Sequence, residues 1–158
     1  MSKLDGNERW KSKMLLTEHA EQYDRKQAGT DKKMMTTEEW VMVRDYILLP
    51  HLEKIVQRSL NDIEYSANVL KSLYLAAGTR ILTMIAEDHY RLRGELKKRN
   101  IRVIAEEQAD MVVYHRCYFR GYEERFGMTR DVMRSEISTR LTAYTKELVA
   151  RLKLKSNR

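Results

Sequence analysis

The chain has 158 residues, 42% of them hydrophobic and 34% charged, and its 30 basic and 23 acidic side chains give a formal net charge of +7. That length and balance support one domain with a real hydrophobic core and exclude general disorder. One proline and six glycines are too few turn formers for a sandwich or barrel, no apolar run approaches the ~20 residues of a membrane span, and a lone cysteine cannot form an internal disulfide.

With a polar N-terminus that lacks a signal-peptide core, these features point to a cytoplasmic protein. The charge is uneven. Residues 1–50 hold 9 basic and 9 acidic side chains, residues 51–100 hold 9 and 6, and residues 101–158 hold 12 and 8. A basic surplus on the C-terminal two-thirds favours a polyanionic partner through its phosphates.

Residues 1–35 read as an N-terminal arm, sparse in apolar groups apart from Trp10, Met14, Leu15 and Leu16. Thr17 caps a short predicted helix, and residues 28–31 read as a break. A single helical domain is expected over residues 36–155. Thr36 and Glu39 form a capping box ahead of a helix whose apolar face is Trp40, Val43, Ile47, Leu52, Ile55, Val56 and Leu60. Pro50 predicts a kink or restart within it. A second helix follows from Leu73, Ala77, Ile81, Met84, Ile85, Leu92 and Leu96, with Lys97, Lys98 and Arg99 suited to its C-terminal dipole and Asn100 as a stop.

The period then changes. Ile101, Val103 and Ala105 alternate with Arg102 and Ile104, and residues 111–120 are rich in β-branched and aromatic side chains. These two runs predict a hairpin at about residues 101–120, with a helix as the competing reading. Gly121 and Gly127 mark its exit. Thr129 caps a last helix carrying Met133, Ile137, Leu141, Tyr144, Leu148 and Leu152. The expected fold is therefore mainly α with one β-hairpin, built as three long helices plus the arm.

Catalytic signatures are missing. The glycines are scattered, so no phosphate loop exists, and the four histidines lie in four different segments. Glu87, Asp88 and His89 are adjacent, so on a helix they diverge by about 100° and do not converge on one ion. His115 and Cys117 share a strand face but have no orienting third group, which makes Cys117 a packing residue. No catalytic residue, cofactor or metal is expected.

Binding chemistry is more legible. Strand alternation places Tyr114, Arg116, Tyr118 and Arg120 on one face, with Arg102 on the partner strand. Such a face suits base stacking and phosphate contact, giving non-specific DNA binding. The alternative is that these arginines stack on the tyrosines and pair with Glu106, Glu123 and Glu124 to cover the hairpin. The regular stripe of the last helix also suits a homo-dimer.

Residues 3–7, Trp10 and the run Met14-Leu15-Leu16-Thr17-Glu18-His19 resemble the opening of the YolD-like family, with Thr17 where that family carries proline. The resemblance is confined to residues 3–19. It implies an accessory factor of Firmicutes or their phages associated with lesion-bypass polymerases, docking a protein partner through Trp10, Met14, Leu16, Glu18 and His19. The functional expectation is a non-enzymatic accessory or regulatory binding protein linked to DNA repair or a mobile element. The alternative is a phage-like structural or assembly protein that forms homo-oligomers.

Overall fold

Helix α1 (Thr37–Glu64) places Leu48, Leu52, Val56 and Leu60 four residues apart, and all four are buried. Helix α2 (Lys71–Lys98) answers with Ile81, Met84, Ile85, Leu92 and Leu96. A computed structural model describes residues 34–105 and 108–156, and in it these two stripes pack as an antiparallel helical hairpin. Its register is marked by Gly78 beside Leu60 near the turn, and by the Tyr46 and His89 rings stacked at 4.9 Å. Arg99 meets Glu38 at 3.4 Å at the other end. Leu48, Leu52 and Ile85 are fully buried, each worth about 1.5–3 kcal/mol relative to exposure. In the connecting turn the Ser66 hydroxyl donates to the Ile63 carbonyl at 2.7 Å, and Asn68 Oδ1 accepts the Leu70 amide at 2.8 Å.

Pro50 lies inside α1 without ending it. The expected restart is absent because Leu48, Leu49 and Leu52 around it are all packed into the core. Tertiary burial there outweighs the cost of the lost amide donor.

Beyond α2, Asn100 adopts a left-handed φ of 55° and turns the chain into strand β1 (Ile101–Ala105). Strand β2 (Val112–Phe119) and strand β3 (Tyr122–Thr129) complete an antiparallel sheet in the order β1-β2-β3. The expected hairpin is thus two strands of three. β3 escaped the sequence reading because Glu123, Glu124 and Arg125 follow its first residue, Gly121 precedes it and Gly127 lies within it. Its signal is local: Arg120 (φ 47°) and Gly121 (φ 80°) form a two-residue loop with both φ values positive, as tight hairpins require. Phe126 and Met128 then alternate inward.

The inner sheet face carries Ile101 opposite Phe119, Val103 opposite Cys117, and Val113 opposite Met128. Val113 and Met128 join the helical core, and the Trp40 ring of α1 stacks on Phe126 at 5.6 Å. Helix α3 (Arg130–Ser156) starts at once, with Thr129 Oγ1 accepting the Val132 amide at 3.3 Å. It buries only Met133, Ile137 and Tyr144. Leu152 is 59% exposed, as is Leu73 of α2, so neither belongs to the core that their spacing predicts.

Polar contacts compensate for this thin stripe. The Arg140 guanidinium binds Asp45 of α1, Glu136 Oε2 at 2.6 Å and the Glu136 carbonyl at 2.9 Å. Arg44 lies 3.8 Å from Asp45 and 3.9 Å from Glu136. The Tyr144 hydroxyl donates to Asp88 of α2 at 2.6 Å, so α3 is tied to both partners. Burial disfavours the Arg140 cation, but Glu136 and Asp45 more than offset it and its pKa rises. The bond from Arg140 holds the Glu136 carboxyl below its ordinary range. Burial first, then Asp88, keeps the Tyr144 phenol protonated above its usual value.

Arg140→Ala is expected to cost about 1–3 kcal/mol in urea unfolding, because it leaves the Asp45 and Glu136 carboxylates facing each other. Adding Asp45→Asn should restore part of that loss, and simple additivity of the two changes would count against the network. A depressed carboxyl pKa stabilises above the unfolded value and loses that effect as pH falls through the folded one. The wild type should therefore lose stability below about pH 4, and Arg140→Ala should flatten that dependence.

Candidate nucleic-acid interface

In an antiparallel sheet, directly paired residues share a face. Arg102 lies opposite Tyr118, Ile104 opposite Arg116, Arg116 opposite Arg125, and Tyr114 opposite Gly127. The face turned away from the helices thus carries Arg102, Arg116 and Arg125 with Tyr114 and Tyr118. Among the described residues its one acidic member is Glu123, paired to Arg116 at 3.2 Å. Of the residues expected here, Arg102, Tyr114, Arg116 and Tyr118 are brought together. A depression of about 610 Å³ lies over part of this face, lined by Arg116 and Tyr118 together with Ile104, Gln108 and Arg125.

Arg120 is not among them. It sits in the β2–β3 loop, where its positive φ takes it out of the strand alternation. Its Nη2 donates to Glu39 Oε1 of α1 at 2.7 Å, and the Glu39 side chain is only 4% exposed. Glu39, read as the reciprocal half of a capping box, thus anchors the sheet to the helix. Arg120 is a structural residue in this geometry.

Arg125 is the residue that sequence reading missed, because β3 was read as an exit. Its guanidinium lies 3.7 Å from the Tyr114 ring centroid. Gly127 allows this: a Cβ there would stand 2.8 Å from the Tyr114 ring, so only glycine lets that ring lie across β3. Arginine on a tyrosine face gains a cation–π attraction.

Cys117 occupies the opposite face, fully buried, with its thiol pushed up to about 11 by burial and by Glu124. A thiol so protonated is a poor nucleophile. His89 stacks on Tyr46, and Asp88 is engaged with Tyr144 and Arg91. The proposed docking residues Trp10, Met14, Leu16, Glu18 and His19 lie outside the described residues.

Gly127→Ala should lift the Tyr114 ring, with the Tyr114 ring resonances moving and stability falling by about 1 kcal/mol. Unchanged ring shifts would remove the proposed role of Gly127. At pH 8 iodoacetamide should label Cys117 only at the rate of unfolding, and fast labelling of folded protein would contradict its burial.

A family model described as YhjD protein matches residues 34–149. No curated protein and no solved structure matches the chain. This match corrects the YolD-like resemblance, which rested on residues 3–19 alone, whereas the matched region takes in the helices and the sheet together. The lesion-bypass context implied by that resemblance falls with it. With most of its length matched, the chain belongs to the YhjD protein family.

Proposed function

We propose that the chain is a non-enzymatic accessory protein that binds single-stranded nucleic acid on the outer face of its sheet. The observation that carries this reading is the gathering of Arg102, Arg116 and Arg125 with Tyr114 and Tyr118 on that face. Arg116 and Arg125 are direct cross-strand neighbours, an arrangement of like charges that costs stability. The Arg116–Glu123 pair is itself weak, since both partners are about half exposed (51% and 50%), and such pairs contribute about 0–1 kcal/mol. Phosphate oxygens can therefore replace that carboxylate at little cost. The tyrosines supply stacking surface, which unpaired bases use and duplex DNA does not offer. Binding of this kind is salt-sensitive and largely independent of sequence.

A second reading, a homo-oligomeric structural component, draws on the opposite end of the helices. There Val69, Leu70 and Leu73 are exposed at the start of α2, and Leu152 and Leu154 at the end of α3.

Fluorescence anisotropy with a labelled single-stranded oligonucleotide tests the first reading. Affinity should fall steeply between 50 and 200 mM salt, with a slope of roughly −0.7 per phosphate contacted. Arg116→Ala/Arg125→Ala should weaken binding at least about tenfold and flatten that slope. Wild-type affinity in that double variant, or a large salt-insensitive oligomer that binds no oligonucleotide, would favour the second reading.

A further inference from the structure

At the foot of α2 a cleft of about 420 Å³ separates the helix from the free edge of β1. Arg93 and Lys97 line it from one helix face, four residues apart, and Arg102 lines it from β1, with Tyr46 and Leu96 as walls. Among the described residues none of these three cations has a carboxylate within ion-pair distance. Their neighbours do: Arg91 pairs with Asp88 at 3.2 Å, Lys98 with Glu95 at 3.0 Å and Arg99 with Glu38 at 3.4 Å.

Like charges one helical turn apart destabilise a helix. The C-terminal dipole rewards the last-turn cations Lys97 and Lys98 and does little for Arg93 a turn earlier. Three unpaired cations converging on one concavity are a cost to the fold that an anionic ligand would remove. The cleft is also continuous with the sheet face. Asn100 and Arg102 line a second depression over the β2–β3 turn, and Tyr118 lines both that depression and the one on the outer face.

We propose that this cleft receives the terminal phosphate of a strand whose bases lie on the sheet, a phosphomonoester held by Arg93, Lys97 and Arg102. The proposal rests on the nucleic-acid reading of the outer face. Charge selects the ligand: a phosphomonoester carries about −1.5 to −2 and three acceptor oxygens, against a single negative charge for each internal diester. Three donors from two elements match the former, and the position of the cleft at one end of the track suits a strand terminus. Arginine supplies a planar fork and lysine a point charge, a combination common in phosphate recognition.

The test uses the full chain and a twelve-nucleotide oligothymidylate ending in a 5′-phosphate, a 3′-phosphate or hydroxyls only, with competition read by anisotropy. One phosphorylated end should bind about tenfold tighter than the hydroxyl-ended strand. The Arg93→Gln/Lys97→Gln variant should abolish that gain while leaving the hydroxyl-ended affinity within about twofold. Both side chains are exposed, and thermal melting of the variant checks that the fold is kept. Equal affinity for all three strands overturns the cleft and leaves the sheet-face reading standing. If no strand binds, the sheet-face reading fails and so does the terminal-phosphate assignment. Phenyl phosphate then shows which part survives: saturable shifts of the Arg93 and Arg102 Nε signals, lost in the variant, retain a phosphomonoester cleft, and their absence removes it.

Discussion

Leu48, Leu52 and Ile85 meet where α1 and α2 cross, wholly shut off from solvent, and every other element is laid against the pair they hold together. Their burial explains why α1 runs through Pro50 without a break. It also leaves the rest of the molecule a prepared surface. The sheet covers the pair with Val113 and Met128, and Trp40 reaches across to Phe126. α3 arrives with little apolar area left to contribute, so charge and hydroxyl groups do for it what leucine does for the first two helices. Hydrogen bonds of this sort add modest net stability but are costly to leave half made. The third helix is thus attached by specific partners rather than by a greasy stripe.

The sheet divides the chemistry cleanly. One face is mainly apolar and turned to the helices, with a protonated thiol deep in it and His115 and Glu124 also on it. The other gathers guanidinium and phenol groups with a single carboxylate among the described residues. Period-two alternation alone produces this segregation, so one strand register serves both packing and recognition. Gly127 matters to the second role by what it lacks, since the missing Cβ is the space the Tyr114 ring occupies.

Much of the fold was legible in the residues. The helical spacing of apolar residues in α1, the basic close of α2 and the switch to alternation at Ile101 each located an element, and Thr129 marked the start of α3. Contacts between distant residues were not legible. Nothing local shows that Glu39 faces a loop 81 positions away, and so Arg120 was grouped with the strand arginines. β3 was hidden for a different reason: six of its eight residues are exposed, and its charged opening lacks the apolar content that marks a strand. Reading the Arg120-Gly121 pair as a tight hairpin turn would have recovered both β3 and the place of Arg125. On the outer face, four of the five expected residues were correctly grouped, because alternation within one strand and pairing to its neighbour are short-range consequences of backbone geometry.

Arg120 illustrates how two levels of structure constrain one position. Its backbone adopts a left-handed conformation that most residues resist and glycine accepts freely. An engineer seeking to idealise this loop would therefore write asparagine or aspartate before Gly121, as is done for designed hairpins. That choice relieves the backbone and removes the cation that faces the buried Glu39 carboxylate. Local idealisation and long-range anchoring pull in opposite directions at this site. A redesign of the loop thus gives up the Arg120–Glu39 ion pair in exchange for the easier backbone.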